Sequence, residues 1–143
     1  MRPELPPDYR PCDDEEFMNP RQIEYFRQKL LAWRAELLAD SSGTLRHLKE
    51  ESLLKPDLTD RASLETERAI ELRTRDRERK LIRKIDDALK RIEDGSYGYC
   101  LETGEEIGIK RLEARPVATL SIEAQERRER RERQYGDRDD RYR

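Results

Sequence analysis

Cysteine is scarce in this 143-residue chain: Cys12 and Cys100 stand far apart, so no disulfide framework staples the fold. The lone histidine, His47, reads as a solvated helix residue rather than part of a metal centre. No run of 18 apolar residues exists to cross a membrane. The opening MRPELPPDYRP lacks a basic and then apolar signal segment, so a cytoplasmic location is expected. Only 34% of residues are hydrophobic, too few for a thick multilayer core. Nor is there a surplus of positive charge. A net charge of −2 and a pI near 5.7 argue against a protein whose main task is neutralising nucleic-acid phosphates.

What is present is charge of both signs, 45% of the residues, a composition that suits long solvated helices. Residues 1–18 hold four prolines and the acidic run Asp13–Glu16, which reads as an extended or mobile arm. NPRQIEYF then marks a helix start. Asn19 can cap, Pro20 suits the first helical position, Gln22 completes a capping-box pattern and Met18 can staple onto Ile23. Ile23, Phe26, Leu30, Trp33 and Leu37 recur at alternating steps of three and four, the spacing of a coiled-coil seam. Leu45 and Leu48 continue it more loosely past Gly43. Lys55-Pro56 stops the helix. A second helix to about Asp94 presents Leu64, Ile70, Leu81, Ile85, Leu89 and Ile92, and Gly95 supplies its stop. Two such helices joined by a short loop must lie antiparallel to cover both stripes. The spacing therefore predicts a hairpin over 19–94 with its tip at 55–63, each arm reaching roughly 50 Å.

Charge along this hairpin is polarised. Lys49–Glu71 around the tip holds seven acidic and four basic residues, whereas Arg73–Arg91 holds nine basic and four acidic. RTRDRERK reads either as a solvated face laced with i,i+4 pairs or, since no apolar residue interrupts Arg73–Lys80, as a charged binding surface. Asp57 and Asp60 likewise carry two readings. They can cap and complement the start of the second helix, or a slender probe can carry paired acids into a narrow site holding a catalytic cation. Composition leaves both open.

Beyond Gly95 the texture changes. Tyr97, Tyr99, Ile107 and Ile109 among glycines point to a small turn-rich module over 95–134, closed by a helix from about Ser121 to Gln134, and 135–143 is expected to fray. Within the module, YGYCLETGEEIG has the look of half a metal knuckle, yet its partner position is Thr103. Basic Arg127–Arg133 is interleaved by Glu126, Glu129 and Glu132 and reads as a solvated face.

DRAS at 60–63, ELRTRDRERKLIRKI at 71–85, DGSYGYC at 94–100 and EIGIKRLEARPVATL at 106–120 are together similar to the DksA family of bacterial transcription regulators. The resemblance spans about Met18 to Gln134. It implies a mainly α fold, a long antiparallel coiled-coil hairpin on a small globular zinc-finger module with a C-terminal helix. It also implies a non-enzymatic, monomeric factor that enters the secondary channel of RNA polymerase without binding DNA. Asp57, Asp60 and Ala62 match tip residues that approach the polymerase active site and destabilise open promoter complexes, inhibiting ribosomal-RNA promoters and activating others. Arg73 and Arg77 match positions that lie against the channel walls. Leu81, Lys84 and Arg115 match positions that meet the alarmone ppGpp at the polymerase rim in the stringent response. A further family lysine is Gln125 here, so synergy with ppGpp is expected in altered form.

The family's four zinc cysteines fall at Cys100, Thr103, Ser121 and Ala124. Three of four ligands are missing, and hydroxyls do not replace thiolates in a structural zinc site. Zinc is therefore not expected. A structural zinc contributes about 10–16 kcal/mol to folding, against about 1.5–3 kcal/mol for one large buried apolar side chain. Roughly five such side chains would replace it, and Tyr97, Tyr99, Ile107, Ile109, Leu112, Val117, Leu120 and Ile122 are the candidates. Cys100 is expected as a small buried residue, with Thr103 near Ser121. The alternatives are a Gre-like transcript-cleavage or elongation factor, which also uses acidic coiled-coil tip residues, and a structural coiled-coil adaptor.

Overall fold

A computed structural model of the chain describes the backbone of residues 2–53 and 58–141, and the side chains of residues 2–41 and 61–136. Four helices account for most of it: α1, Pro20–Leu53; α2, Leu58–Asp94; α3, Ile109–Ala114; and α4, Ile122–Arg141. Among the described residues there is no strand, only an isolated antiparallel bridge between Tyr99 and Glu106. The chain divides into two compact units, one formed by Met1–Arg27 with Ala88–Arg143 and one by Gln28–Asp87.

The start of α1 follows from local chemistry. Asn19 Oδ1 accepts from the N–H groups of Arg21 and Gln22 at 3.0 and 3.1 Å, satisfying donors that the first turn leaves unpaired. Gln22 reaches back one residue further than the usual capping box, its Oε1 accepting from Met18 N–H at 2.8 Å. Met18 takes a positive φ of 54° and its side chain reaches Gly98.

In the unit Gln28–Asp87, Leu30, Leu37 and Ile85 are buried. Arg34 Nε meets Asp86 Oδ1 at 2.8 Å and Ser41 Oγ meets Glu78 Oε2 at 2.9 Å. Rising positions on α1 therefore meet falling positions on α2, which makes the pair antiparallel. Ile70, placed in the apolar face by its spacing, is 57% exposed instead. The seam between Leu64 and Ile82 is filled by the half-buried Arg68, Glu71, Arg75 and Glu78. The charge-rich gap in the stripe is thus partly a polar seam, not wholly a free surface. The side chains of Leu45 and Leu48, and the tip residues 54–57 altogether, lie outside what is described.

The other unit has its core in Phe26, Tyr97, Ile107, Ile109, Leu112, Val117, Leu120 and Ala124, all buried. Gly95, at φ 84°, ends α2 in the left-handed conformation that glycine adopts without penalty, and the Ser96 N–H closes back onto Arg91 O at 3.0 Å. The Tyr97 ring packs 5.9 Å from Phe26, and its hydroxyl donates to Pro116 O at 2.8 Å. Burial pushes its pKa well above the ordinary tyrosine value. Six of the eight side chains nominated to replace a metal are buried, while Tyr99 is half-buried and Ile122 is 53% exposed at the first position of α4.

Residues 2–18, which their prolines mark as an extended or mobile arm, make specific contacts with the start of α1. The buried Gln22 pins the segment by donating from Nε2 to Cys12 O at 3.1 Å, and Tyr9 donates to Glu15 Oε2 at 2.7 Å. Burial and then the Glu15 carboxylate raise Tyr9 to about 12, and the same hydrogen bond holds Glu15 below its usual range. Phe17 stacks edge-on to Tyr99 with centroids 5.5 Å apart. At the other end, α4 continues to Arg141, past the Gln134 boundary where fraying was expected.

Candidate functional site

Of the residues singled out on α2, Ala62, Arg73, Arg77 and Lys84 share a face. At 3.6 residues per turn, positions 62, 73, 77, 80 and 84 fall within an arc of about 60° and span about 33 Å of helix. Ala62, Arg73, Arg77, Lys80 and Lys84 are all exposed there, and Leu81 is half-buried at the edge of the arc. Glu71 and Glu78 turn to the seam with Arg68 and Arg75 half-buried beside them, while Asp76 is exposed about 40° from the arc, at the edge opposite Leu81. The helix therefore sorts most of an interleaved sequence into a polar seam and an outward cationic stripe bordered by Asp76. Such a stripe attracts anionic surfaces and raises encounter rates in a salt-dependent way. Asp57 lies outside the described residues. Asp60 belongs to α2 by its backbone, and its side chain also lies outside them.

Arg115 and Gln125 belong to the other unit. Arg115 is exposed at the C-cap of α3, its N–H bonded to Arg111 O at 2.7 Å. Gln125 is half-buried on α4 and donates to Glu129 Oε1 at 3.1 Å.

The four positions nominated as a former ligand set can be followed individually. Cys100 is buried in the turn that closes at Gly104, whose N–H donates to Cys100 O at 2.8 Å, while the Cys100 N–H donates to Glu105 O at 2.7 Å. Burial by itself raises the thiol pKa. The Thr103 hydroxyl and the N–H groups of Ser121, Thr103 and Glu102, all donating to the sulfur, outweigh it and bring the pKa down from 9.0 to about 6. Thr103 and Ser121 are thus brought together around Cys100. The Ser121 oxygen is spent on capping α4, accepting from the Ala124 N–H at 3.2 Å, and Ala124 offers a buried methyl. One thiolate, two engaged hydroxyls and a methyl do not fit a tetrahedral zinc set. Among the described residues no group of three or more His, Cys, Asp or Glu side chains converges. The N–H donors to the sulfur were invisible to sequence reasoning because backbone groups carry no residue signature.

Comparison with known proteins places this geometry. The model for the DnaK suppressor protein DksA, N-terminal domain, matches residues 22–92, and that for the prokaryotic dksA/traR C4-type zinc finger matches residues 95–130. The RNA polymerase-binding transcription factor DksA of Caulobacter vibrioides is 68% identical over 130 residues, covering 91% of this chain and 92% of that relative. The chain belongs to the DksA family. The DksA of Escherichia coli K12 is 48% identical over 126 residues, covering 88% of this chain and 83% of its own length. The solved structure of transcription factor DksA2 from Pseudomonas aeruginosa aligns with a TM-score of 0.77 at 47% identity, covering 82% of this chain and 90% of that one. DksA-type architecture is thus the fold of this chain, which retains one cysteine of a C4-type finger. Among the described residues no helix is long and apolar enough to cross a membrane.

Proposed function

We propose that this chain binds bacterial RNA polymerase through that enzyme's secondary channel and regulates transcription from there. It destabilises open promoter complexes, lowering ribosomal-RNA promoter output and raising other promoters together with ppGpp. The observation that carries this reading is the outward stripe Arg73, Arg77, Lys80 and Lys84 on α2, cationic and exposed, with Glu71 and Glu78 turned away from it and Asp76 at its edge. The relatives from Caulobacter vibrioides and Escherichia coli, RNA polymerase-binding transcription factors, agree with it.

The residues divide the work by position. Arg73 and Arg77 lie against anionic channel walls, Asp57 and Asp60 bring charge to the catalytic elements, and Ala62 keeps the adjoining surface slim. Lys84 and Arg115 supply cations for ppGpp phosphates and Leu81 an apolar edge, with Gln125 weakening that site by one charge. The factor is a cytoplasmic, non-enzymatic monomer without direct DNA binding. Its module folds without zinc, because the Cys100 sulfur takes its hydrogen bonds from Thr103, Ser121 and Glu102 instead of a metal.

Charge reversal tests the stripe. Arg73→Glu with Arg77→Glu should weaken polymerase binding by about tenfold or more, with loss of its salt dependence. Arg79→Glu, exposed on the same helix but outside the arc, should leave binding within about twofold. Equal loss in both variants would mean that α2 engages polymerase by net charge alone, and the stripe assignment would fail.

A further inference from the structure

The run ERRERRERQ in α4 alternates sign in sequence, but the helix separates it. Positions 127, 130, 131 and 134 fall within an arc of about 100°, with Glu126, Glu129 and Glu132 outside it. Glu123 shares the arc one turn earlier. Arg127, Arg130 and Arg131 together with Gln134 face the turn Glu102–Thr103, and the six residues line a cleft of about 790 Å³ with Arg131 opposite Glu102.

The charge in this cleft does not balance. Three guanidinium groups face one carboxylate, that of Glu102, which leaves an excess of two positive charges among the lining residues. Arg131 Nη2 reaches Glu102 Oε1 at 3.4 Å, with both side chains substantially exposed, a pair of small energetic value. Among the described residues Arg130 Nε donates only to the backbone carbonyl of Glu126, at 3.4 Å. Arg127 has no ion pair among the described residues. Three like charges in one cleft repel one another, weakly at this exposure, and an entering anion relieves that repulsion. All three are arginines, whose planar forks match phosphate oxygens two at a time. A single carboxylate would leave one excess charge, whereas an oligophosphate satisfies all three groups. Among the described residues no aromatic side chain lines the cleft, so they offer no stacking platform of the kind a single-strand nucleic-acid site uses. Its volume lies in the range of small-molecule sites.

We propose that the cleft between the Glu102–Thr103 turn and α4 binds an oligophosphate, the chemistry shared by inorganic polyphosphate and nucleoside polyphosphates, through Arg127, Arg130 and Arg131. The site shares no residue with Leu81, Lys84 and Arg115. Thr103 contributes shape rather than a proton, since its hydroxyl already donates to the Cys100 sulfur.

Calorimetric titration of the full chain with inorganic tripolyphosphate and, separately, with ATP and GTP tests this without polymerase. Saturable one-to-one binding is expected, weakened about tenfold or more by Arg127→Gln or Arg131→Gln, since each removes a charge-assisted contact. Arg131→Lys keeps the charge but loses the fork and should recover only part of the affinity. Arg133→Gln, on the same helix outside the arc, should leave it within about twofold. Tripolyphosphate as tight as the nucleotides assigns polyphosphate as the source, while tighter nucleotides assign a nucleoside polyphosphate. No saturable binding of any of them up to about 10 mM, an equal loss in Arg133→Gln, or equally tight binding of an oligonucleotide without a 5′-triphosphate would overturn the proposal.

Discussion

Replacing Gly98 by alanine should unfold the module's edge more than its size suggests, for two separable reasons. Gly98 has φ 92°, and an L-residue forced into the left-handed region loses about 1–2 kcal/mol. A Cβ built there would also lie 3.0 Å from Met18 Cγ and Sδ and 3.3 Å from Phe17 Cζ. Overpacking of this kind costs about 1–3 kcal/mol, toward the low end here because methionine can rotate away. The sum is about 2–4 kcal/mol, measurable by urea denaturation. Gly104→Ala is the matched control: its φ is 75° but no atom lies within 4 Å of the new Cβ, so it should show only the backbone part, about 1–2 kcal/mol. Adding Met18→Ala to Gly98→Ala should recover most of the difference, a coupling expected of residues in contact. Equal destabilisation by the two glycine variants, with no coupling to Met18, would refute the packing of residues 17 and 18 on the Gly98 turn.

Three further outcomes follow from the same unit. Tyr97→Phe removes the hydrogen bond to Pro116 O and leaves that carbonyl without its buried donor, so it should cost about 1–3 kcal/mol in denaturant unfolding; a neutral result would mean the carbonyl finds water. The Cys100 pKa lies near 6 in the folded chain and at an ordinary 9.0 when unfolded, so the thiolate's stabilising contribution is complete above pH 9 and lost as pH falls through 6. The stability gap between the parent and Cys100→Ala should therefore widen from pH 6 to 9, and a pH-independent gap would contradict the hydrogen-bonded thiolate. Natively purified protein should contain no stoichiometric zinc by elemental analysis, and a chelator should leave its Tm unchanged; one zinc per chain would overturn the metal-free fold.

The parts of the fold written in local spacing were legible in the sequence. Phe26, Leu30 and Leu37 announced the seam of α1 and are buried, and Asn19 announced its start and caps it. Ile70 was misplaced because hydrophobicity was allowed to outrank register: its position faces out, while Glu71 and Glu78, polar but correctly spaced, occupy the seam. The contacts of the N-terminal segment join long-range partners, Phe17 with Tyr99 and Met18 with Gly98, that no local pattern encodes. At the former ligand positions, the loss of three cysteines was plain from spacing. What replaces the metal was not, since three of the four donors to the Cys100 sulfur are backbone N–H groups. Glu126, Glu129 and Glu132 concealed the arginine face of α4 because neighbours in sequence point to different sides of a helix.

The most direct measurement is in vitro transcription from a ribosomal-RNA promoter with purified bacterial RNA polymerase, with and without ppGpp. Inhibition by the wild-type chain, deepened by ppGpp and lost in Asp57→Asn and Asp60→Asn, is the expected result, since asparagine caps a helix nearly as well as aspartate but carries no charge. A chain that leaves transcription unchanged in both conditions would contradict the polymerase-directed function and favour a structural adaptor. Full inhibition by the asparagine variants would contradict the charged-tip mechanism.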